Sequence, residues 1–275
     1  MRAADDTRAL VRDRYGAMAR EGASCCAPAP AGSSACCSPA MAPDSLNVIG
    51  DAYAGVAGRL EEADLNLGCG VPTRLAALRS SETVLDLGSG AGNDVFIARH
   101  EVGATGRVIG VDMTPDMIAR ARANAAKLGY ANVEFRLGEI ERLPVDPGEV
   151  DVVISNCVLN LVPDKPAAFA QMARALRPGG RFCVSDIVST GPLPEGVQQA
   201  AGLYVGCVAG AIPEAQYLAM ARAAGFAAVT VAERRPIDLP DEALAPHLSP
   251  EALAEFRRSG VALVSVTVLG TRPLD

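Results

Sequence analysis

From Thr83 onward the chain alternates short apolar runs with helical stretches, and few folds can accommodate that alternation. The runs Thr83–Leu87, Val108–Asp112, Val133–Leu137, Val150–Ser155 and Arg181–Val188 carry Val, Ile and Leu on both faces, as strands covered on both sides do. Asp94–His100, Pro115–Leu128 and Asp164–Leu176 read as the helices between them. Thr114-Pro115 opens the middle helix with a hydroxyl and a proline in its first turn, and Gly129 closes it. Strands alternating with helices predict an α/β fold on a doubly wound, Rossmann-like parallel sheet. After Gly191 a helix near Glu214–Ala224, a strand near Ala227–Ala232, a helix near Pro250–Arg258 and a strand at Val264–Thr271 complete the pattern.

The segment ahead of the alternation is of another kind. Residues 5–20 read as a helix with Leu10, Val11, Tyr15 and Met18 roughly on one face. Gly22 to Pro43 is rich in Gly, Ala, Ser and Pro and carries Cys25-Cys26 and Cys36-Cys37; its prolines forbid a long regular element, so it reads as a thiol-bearing arm. Leu46 to Leu78 reads as helix and loop leading into the core. The expected division is a helix and arm over 1–45, a nucleotide-binding domain over 46–190 and a substrate-side region over 191–275.

Composition narrows the function. A hydrophobic content of 49% over 275 residues is ample for a core. The net charge of −7 argues against a nucleic-acid surface, which needs clustered Lys and Arg. No apolar run approaches the roughly 20 residues of a membrane helix, and the start, Met1-Arg2-Ala3-Ala4-Asp5-Asp6, lacks a secretory apolar stretch. The expected location is a reducing cytoplasm, where the eight cysteines serve as ligands or redox groups rather than structural disulfides.

The strongest local motif is Asp86-Leu87-Gly88-Ser89-Gly90-Ala91-Gly92, a glycine-rich turn between a strand and a helix. Asp112 ends the second strand, where a ribose hydroxyl partner is expected. A glycine turn alone also suits a dinucleotide. The carboxylate of Asp86 inside the turn repels a pyrophosphate but suits the cationic amino end of S-adenosylmethionine. Gly88, Ser89, Gly90, Gly92, Met113 and Asn156 are expected beside that cofactor. Glu139, with Ile140 next to it, follows the third strand and is placed to accept from the adenine amino group.

Three cysteines lie in contexts that point to the same site. Cys69 sits in Leu67-Gly68-Cys69-Gly70-Val71-Pro72, Cys157 in Ser155-Asn156-Cys157 after a strand, and Cys207 in Gly206-Cys207-Val208-Ala209-Gly210. Thiolates at the mouth of a methyl-donor pocket suit a soft, three-valent acceptor, with trivalent arsenic the leading candidate. The glycines around Cys69 and Cys207 leave little packing, which disfavours a core role. Cys183, inside a strand, reads as a small buried hydrophobe. Only His100 and His247 exist, neither in a motif, and an arsenic lone pair needs no general base.

The segment Asp86 to Val188 resembles the class I S-adenosylmethionine-dependent methyltransferases. More narrowly, Asn66 to Pro72, Ser155 to Leu161 and Gly206 to Ala211 resemble the arsenite methyltransferases, as do Arg12-Asp13-Arg14-Tyr15-Gly16 and the arm with Cys25-Cys26. That resemblance makes Cys69, Cys157 and Cys207 the arsenic-binding thiols and implies arsenite and methylarsenite as substrates. It also implies a thiol reductant of the thioredoxin or glutathione type to restore trivalent arsenic. Cys25, Cys26, Cys36 and Cys37 are expected to take part in thiol exchange or arsenic capture. Two other readings are a small-molecule carbon or oxygen methyltransferase, and a metalloid-binding protein without turnover. The arm is expected to lie outside the sheet, so that removing residues 1–40 leaves cofactor affinity unchanged.

Overall fold

In the computed structural model, residues 4–21, 53–199 and 208–274 are described. An N-terminal helix, α1 (Ala4–Glu21), precedes a single-turn α2 (Pro72–Leu75) and the first strand, β1 (Thr83–Leu87). There follow α3 (Asn93–Val102), β2 (Arg107–Asp112), α4 (Pro115–Leu128), β3 (Val133–Leu137), β4 (Val150–Asn156), α5 (Lys165–Ala175) and β5 (Leu176–Ser189). The remainder is α6 (Glu195–Gln199), α7 (Glu214–Ala223), β6 (Ala227–Ile237), α8 (Asp241–Leu244), α9 (Pro250–Ser259) and β7 (Leu263–Thr271).

The strands form one seven-stranded sheet in the order β3-β2-β1-β4-β5-β7-β6. The first five run parallel, while β7 pairs antiparallel with both β5 and β6. The expected parallel sheet therefore carries an antiparallel edge, and the region after residue 190 extends the same sheet.

Alternate residues of each strand feed opposite cores. Val84, Val108, Val152 and Ile154 pack with Val95 and Phe96 of α3 and Met117, Ile118 and Ala121 of α4. Leu85, Leu87, Ile109, Val153 and Val184 pack with Phe169 and Met172 of α5 and Tyr217 of α7. A third cluster caps one end of the sheet and draws on Val11 of α1, Leu161, Ile187, Val208, Leu244 and Phe256. Cys69 and Cys157 lie within it.

Chain order reverses between β1 and β4, since β2 and β3 continue on one side of β1 and β5 on the other. Doubly wound sheets open a crevice at that switch point, beyond the carboxyl ends of the two strands. Here the crevice lies between Leu87-Gly88 and Asn156-Cys157.

Candidate active site

The crevice is lined by Asp86, Gly88, Ser89 and Gly90 at the end of β1, Asp94 of α3, Asp112 and Met113 at the end of β2, and Asn156, Cys157 and Val158 at the end of β4. Ile140 closes it from the loop after β3, and Arg8, Val11 and Tyr15 of α1 cover it. The turn must be glycine at residue 88, where φ is +66° and a Cβ would enter the Val158 side chain. Asp112 holds this turn in place, because its carboxylate accepts from Gly90 N at 2.9 Å and from Thr114 N at 2.8 Å.

The electrostatics favour a cation. Asp86, Asp94 and Asp112 all border the crevice, and Arg8, the one basic residue of its lining among the described residues, is engaged with Glu141 at 3.0 Å. Burial pushes the Asp86 carboxyl well above the usual carboxylate range, with Asp94 and Asp112 adding like-charge repulsion. Burial likewise raises Asp94 to about 6 and raises Asp112. Asp94 Oδ2 accepts from Tyr53 Oη at 2.6 Å and from Asn156 Nδ2 at 3.2 Å. Its Oδ1 has no hydrogen-bond partner among the described residues, although it is buried. An unmatched carboxylate oxygen in a crevice that Asp86 and Asp112 also line fits the ammonium and sulfonium end of an amino-acid-bearing cofactor.

Beside this crevice two thiols converge. Cys157 follows β4 in a left-handed conformation, φ +61°, which a non-glycine residue adopts at a cost; its N–H donates to Ser185 O at 2.8 Å. Cys69 is fully buried, correcting the expectation that its flanking glycines leave it little packing. Its N–H donates to Asn156 Oδ1 at 3.0 Å, and its carbonyl accepts from Ser265 Oγ. The sulfurs of Cys69 and Cys157 and a carboxylate oxygen of Asp186 all lie within 4.8 Å of one another. Asp186, fully buried at the far end of β5, is raised to about 7 by burial and accepts from Tyr217 Oη at 3.2 Å.

Cys183 is buried elsewhere, donating to Pro72 O at 3.1 Å, and burial pushes its thiol up to about 12. Gly92 and Glu139 lie outside the crevice lining; Gly92 precedes α3, and Glu139 borders a neighbouring groove with Arg12 and Arg142. Cys207 and the arm residues Cys25, Cys26, Cys36 and Cys37 lie outside the described residues. Sequence reasoning passed over Tyr53, Asp94 and Asp186. Asp94 was within reach as the acid that starts the helix after the turn, and Asp186 as a lone acid inside an apolar strand; Tyr53 had no motif around it.

A doubly wound sheet with an acid-lined glycine turn at its switch point defines a methyltransferase, and residues 78–225 match a family described as a methyltransferase domain. Over 275 aligned residues the chain is 46% identical to an arsenite methyltransferase of Halobacterium salinarum, covering 98% of this chain and 67% of that protein. It is 40% identical over 188 residues to an arsenite methyltransferase of Aquipseudomonas alcaligenes, covering 66% of this chain and 54% of that one. The crystal structure of an arsenic(III) S-adenosylmethionine methyltransferase from Chlamydomonas reinhardtii superposes with a TM-score of 0.64 at 31% identity, over 82% of this chain and 74% of that chain. The chain belongs to the arsenite methyltransferase family.

Proposed function

We propose that this protein transfers the methyl group of S-adenosylmethionine to trivalent arsenic held by cysteine thiolates, giving methylated arsenicals in detoxification. The observation that carries the reading is the approach of the Cys69 and Cys157 sulfurs to within 4.8 Å beside the carboxylate crevice. An ordinary carbon or oxygen methyltransferase has no use for such a pair.

Arsenite is As(OH)3, neutral at physiological pH. Each thiol that binds replaces one hydroxide, and its proton leaves with that hydroxide as water, so arsenic stays trivalent and keeps its lone pair. The thiolates of Cys69, Cys157 and, by family resemblance, Cys207 fill the three positions. Asp86 and Asp94 hold the cationic end of the cofactor, Asp112 takes the ribose hydroxyls, and Met113 and Ile140 give the adenine apolar walls. When bound, S-adenosylmethionine supplies an electrophilic methyl on a positive sulfonium. Val11, Tyr15 and Leu161 line the same crevice and would exclude water from it. The chain's contribution is then mainly positioning, an effect on the order of 7–11 kcal/mol for well-aligned partners.

Methylation takes arsenic formally from the trivalent to the pentavalent state. A pair of thiols returns it, giving up two electrons and two protons to become a disulfide, which a thioredoxin- or glutathione-type reductant reopens. Cys25, Cys26, Cys36 and Cys37 are the arm thiols proposed to relay arsenic or disulfides, in the cytoplasm where such reductants work.

The test is chromatographic speciation, with mass detection, of the products from arsenite, S-adenosylmethionine and a thiol reductant. The wild-type protein and Cys183→Ser are expected to yield methylated arsenic, and Cys157→Ser none. Methylation by a folded Cys157→Ser protein at the wild-type rate would remove the thiol-ligand reading.

A further inference from the structure

The two thiols come from segments far apart in the chain, and the Asn156 side chain ties one segment to the other. Asn156 closes β4 and is bonded covalently to Cys157. Its Oδ1 accepts from the N–H groups of both Cys69 and Gly70, at 3.0 and 3.1 Å. Its Nδ2 donates to Gly70 O at 2.7 Å, to Tyr53 Oη at 2.5 Å and to Asp94 Oδ2 at 3.2 Å. Two amide hydrogens thus face three acceptors, so one is always shared.

The Cys69 loop runs close against this amide. A Cβ on Gly68 would lie 2.6 Å from Asn156 Nδ2, and one on Gly70 would run into the Ser185 side chain. The glycines flanking Cys69 let the backbone reach Asn156. On the other side, Tyr53 passes the connection to the cofactor crevice, donating to Asp94 Oδ2 at 2.6 Å while accepting from Asn156. Asp94 ends that chain with a buried oxygen that has no partner among the described residues.

We infer that Asn156 is a positioning residue that couples occupation of the cofactor crevice to the spacing of the Cys69 and Cys157 thiols. A cation meeting Asp94 draws on the carboxylate that Tyr53 and Asn156 now share. The shared amide hydrogen then settles on Gly70 O and fixes the Cys69 loop. Cofactor and arsenite therefore bind more tightly together than apart, and by linkage the enhancement is equal in both directions.

This inference rests on Cys69 and Cys157 being arsenic ligands. The experiment is calorimetric titration of arsenite into the full chain with and without S-adenosylhomocysteine, which keeps the ammonium end and has no methyl to transfer. The wild-type protein is expected to bind arsenite at least about fivefold more tightly with the ligand present, the low end of usual coupling factors. Tyr53→Phe removes the hydroxyl between Asn156 and Asp94 but leaves the Asn156–Cys69 bonds in place. It is expected to reduce the enhancement to less than twofold while still binding arsenite alone. Equal arsenite affinity with and without the ligand in the wild type overturns the inference, as does full enhancement in a folded Tyr53→Phe protein. Native arsenite affinity in Cys157→Ser overturns the ligand assignment instead, so the two failures are told apart.

Discussion

Asp94 has one oxygen shared by Tyr53 and Asn156 and the other without a described partner, and burial holds its carboxyl near 6. A cation at that site needs the carboxylate, so binding expels the proton and affinity rises with pH. As pH falls through about 6, cofactor affinity is expected to fall, on the order of tenfold per pH unit. In Asp94→Asn the step that Asp94 contributes is lost and binding weakens throughout. Calorimetry from pH 5 to 8 with S-adenosylhomocysteine checks this; an affinity flat across that range contradicts the role given to Asp94. Asp86 and Asp112 were legible in the sequence because a glycine turn gives a carboxylate an address. Tyr53 was not, because its partner Asp94 lies 41 positions on and only the folded chain brings them together. Cys69 was misjudged on packing for a related reason: its glycines signal a tight approach to Asn156 and Ser185 rather than empty surroundings.

At the level of elements, α1 departs from expectation. Arg8 pairs with Glu141, Val11 is buried, and Arg8, Val11 and Tyr15 line the crevice. Removing residues 1–40 thus strips one wall of the cofactor site, which corrects the expectation of unchanged cofactor affinity. A chain starting at residue 22 is expected to bind S-adenosylhomocysteine at least about tenfold more weakly, since losing the burial of one large apolar side chain costs about 1.5–3 kcal/mol. Titration of the truncated protein, with circular dichroism to show the sheet intact, decides it; wild-type affinity would free α1 from the site. The helical periodicity of α1 was visible in the sequence, but periodicity names a buried face and not what it is buried against. Strand limits followed the same logic. The buried β1, β2 and β4 stood out as Val, Ile and Leu runs, whereas β6 lies at the sheet edge and alternates exposed and part-buried residues through Glu233-Arg234-Arg235-Pro236. Charged residues and proline are what an edge strand carries, so the apolar pattern ends at Ala232, five residues short of Ile237. The antiparallel course of β7 left no mark, because both of its neighbours pair with it in a form that local pattern does not distinguish.

Across the whole molecule, the proposed arsenic ligands come from three separate stretches: the lead-in to the sheet, the end of β4 and the segment after α6. Cys157 lines the crevice, whereas Cys69 is sealed behind it with no exposure. Arsenite has three exchangeable positions, but its monomethylated trivalent product has two, since one valence is now an arsenic–carbon bond. The second methylation therefore needs only two thiolates. Cys157, nearest the cofactor, stays essential. Cys69 is the thiol that can be spared, and Asn156 and Ser265 hold its backbone in the Cys69→Ser protein. Cys69→Ser is expected to abolish methylation of arsenite while methylating monomethylarsonous acid at a rate within about threefold of the wild type, a difference below 1 kcal/mol in barrier. Chromatographic speciation with each substrate in turn reads the outcome. If a folded, cofactor-binding Cys69→Ser protein loses both activities, two thiolates are not enough for the second step. Arsenic would then depend on Cys69 at every stage.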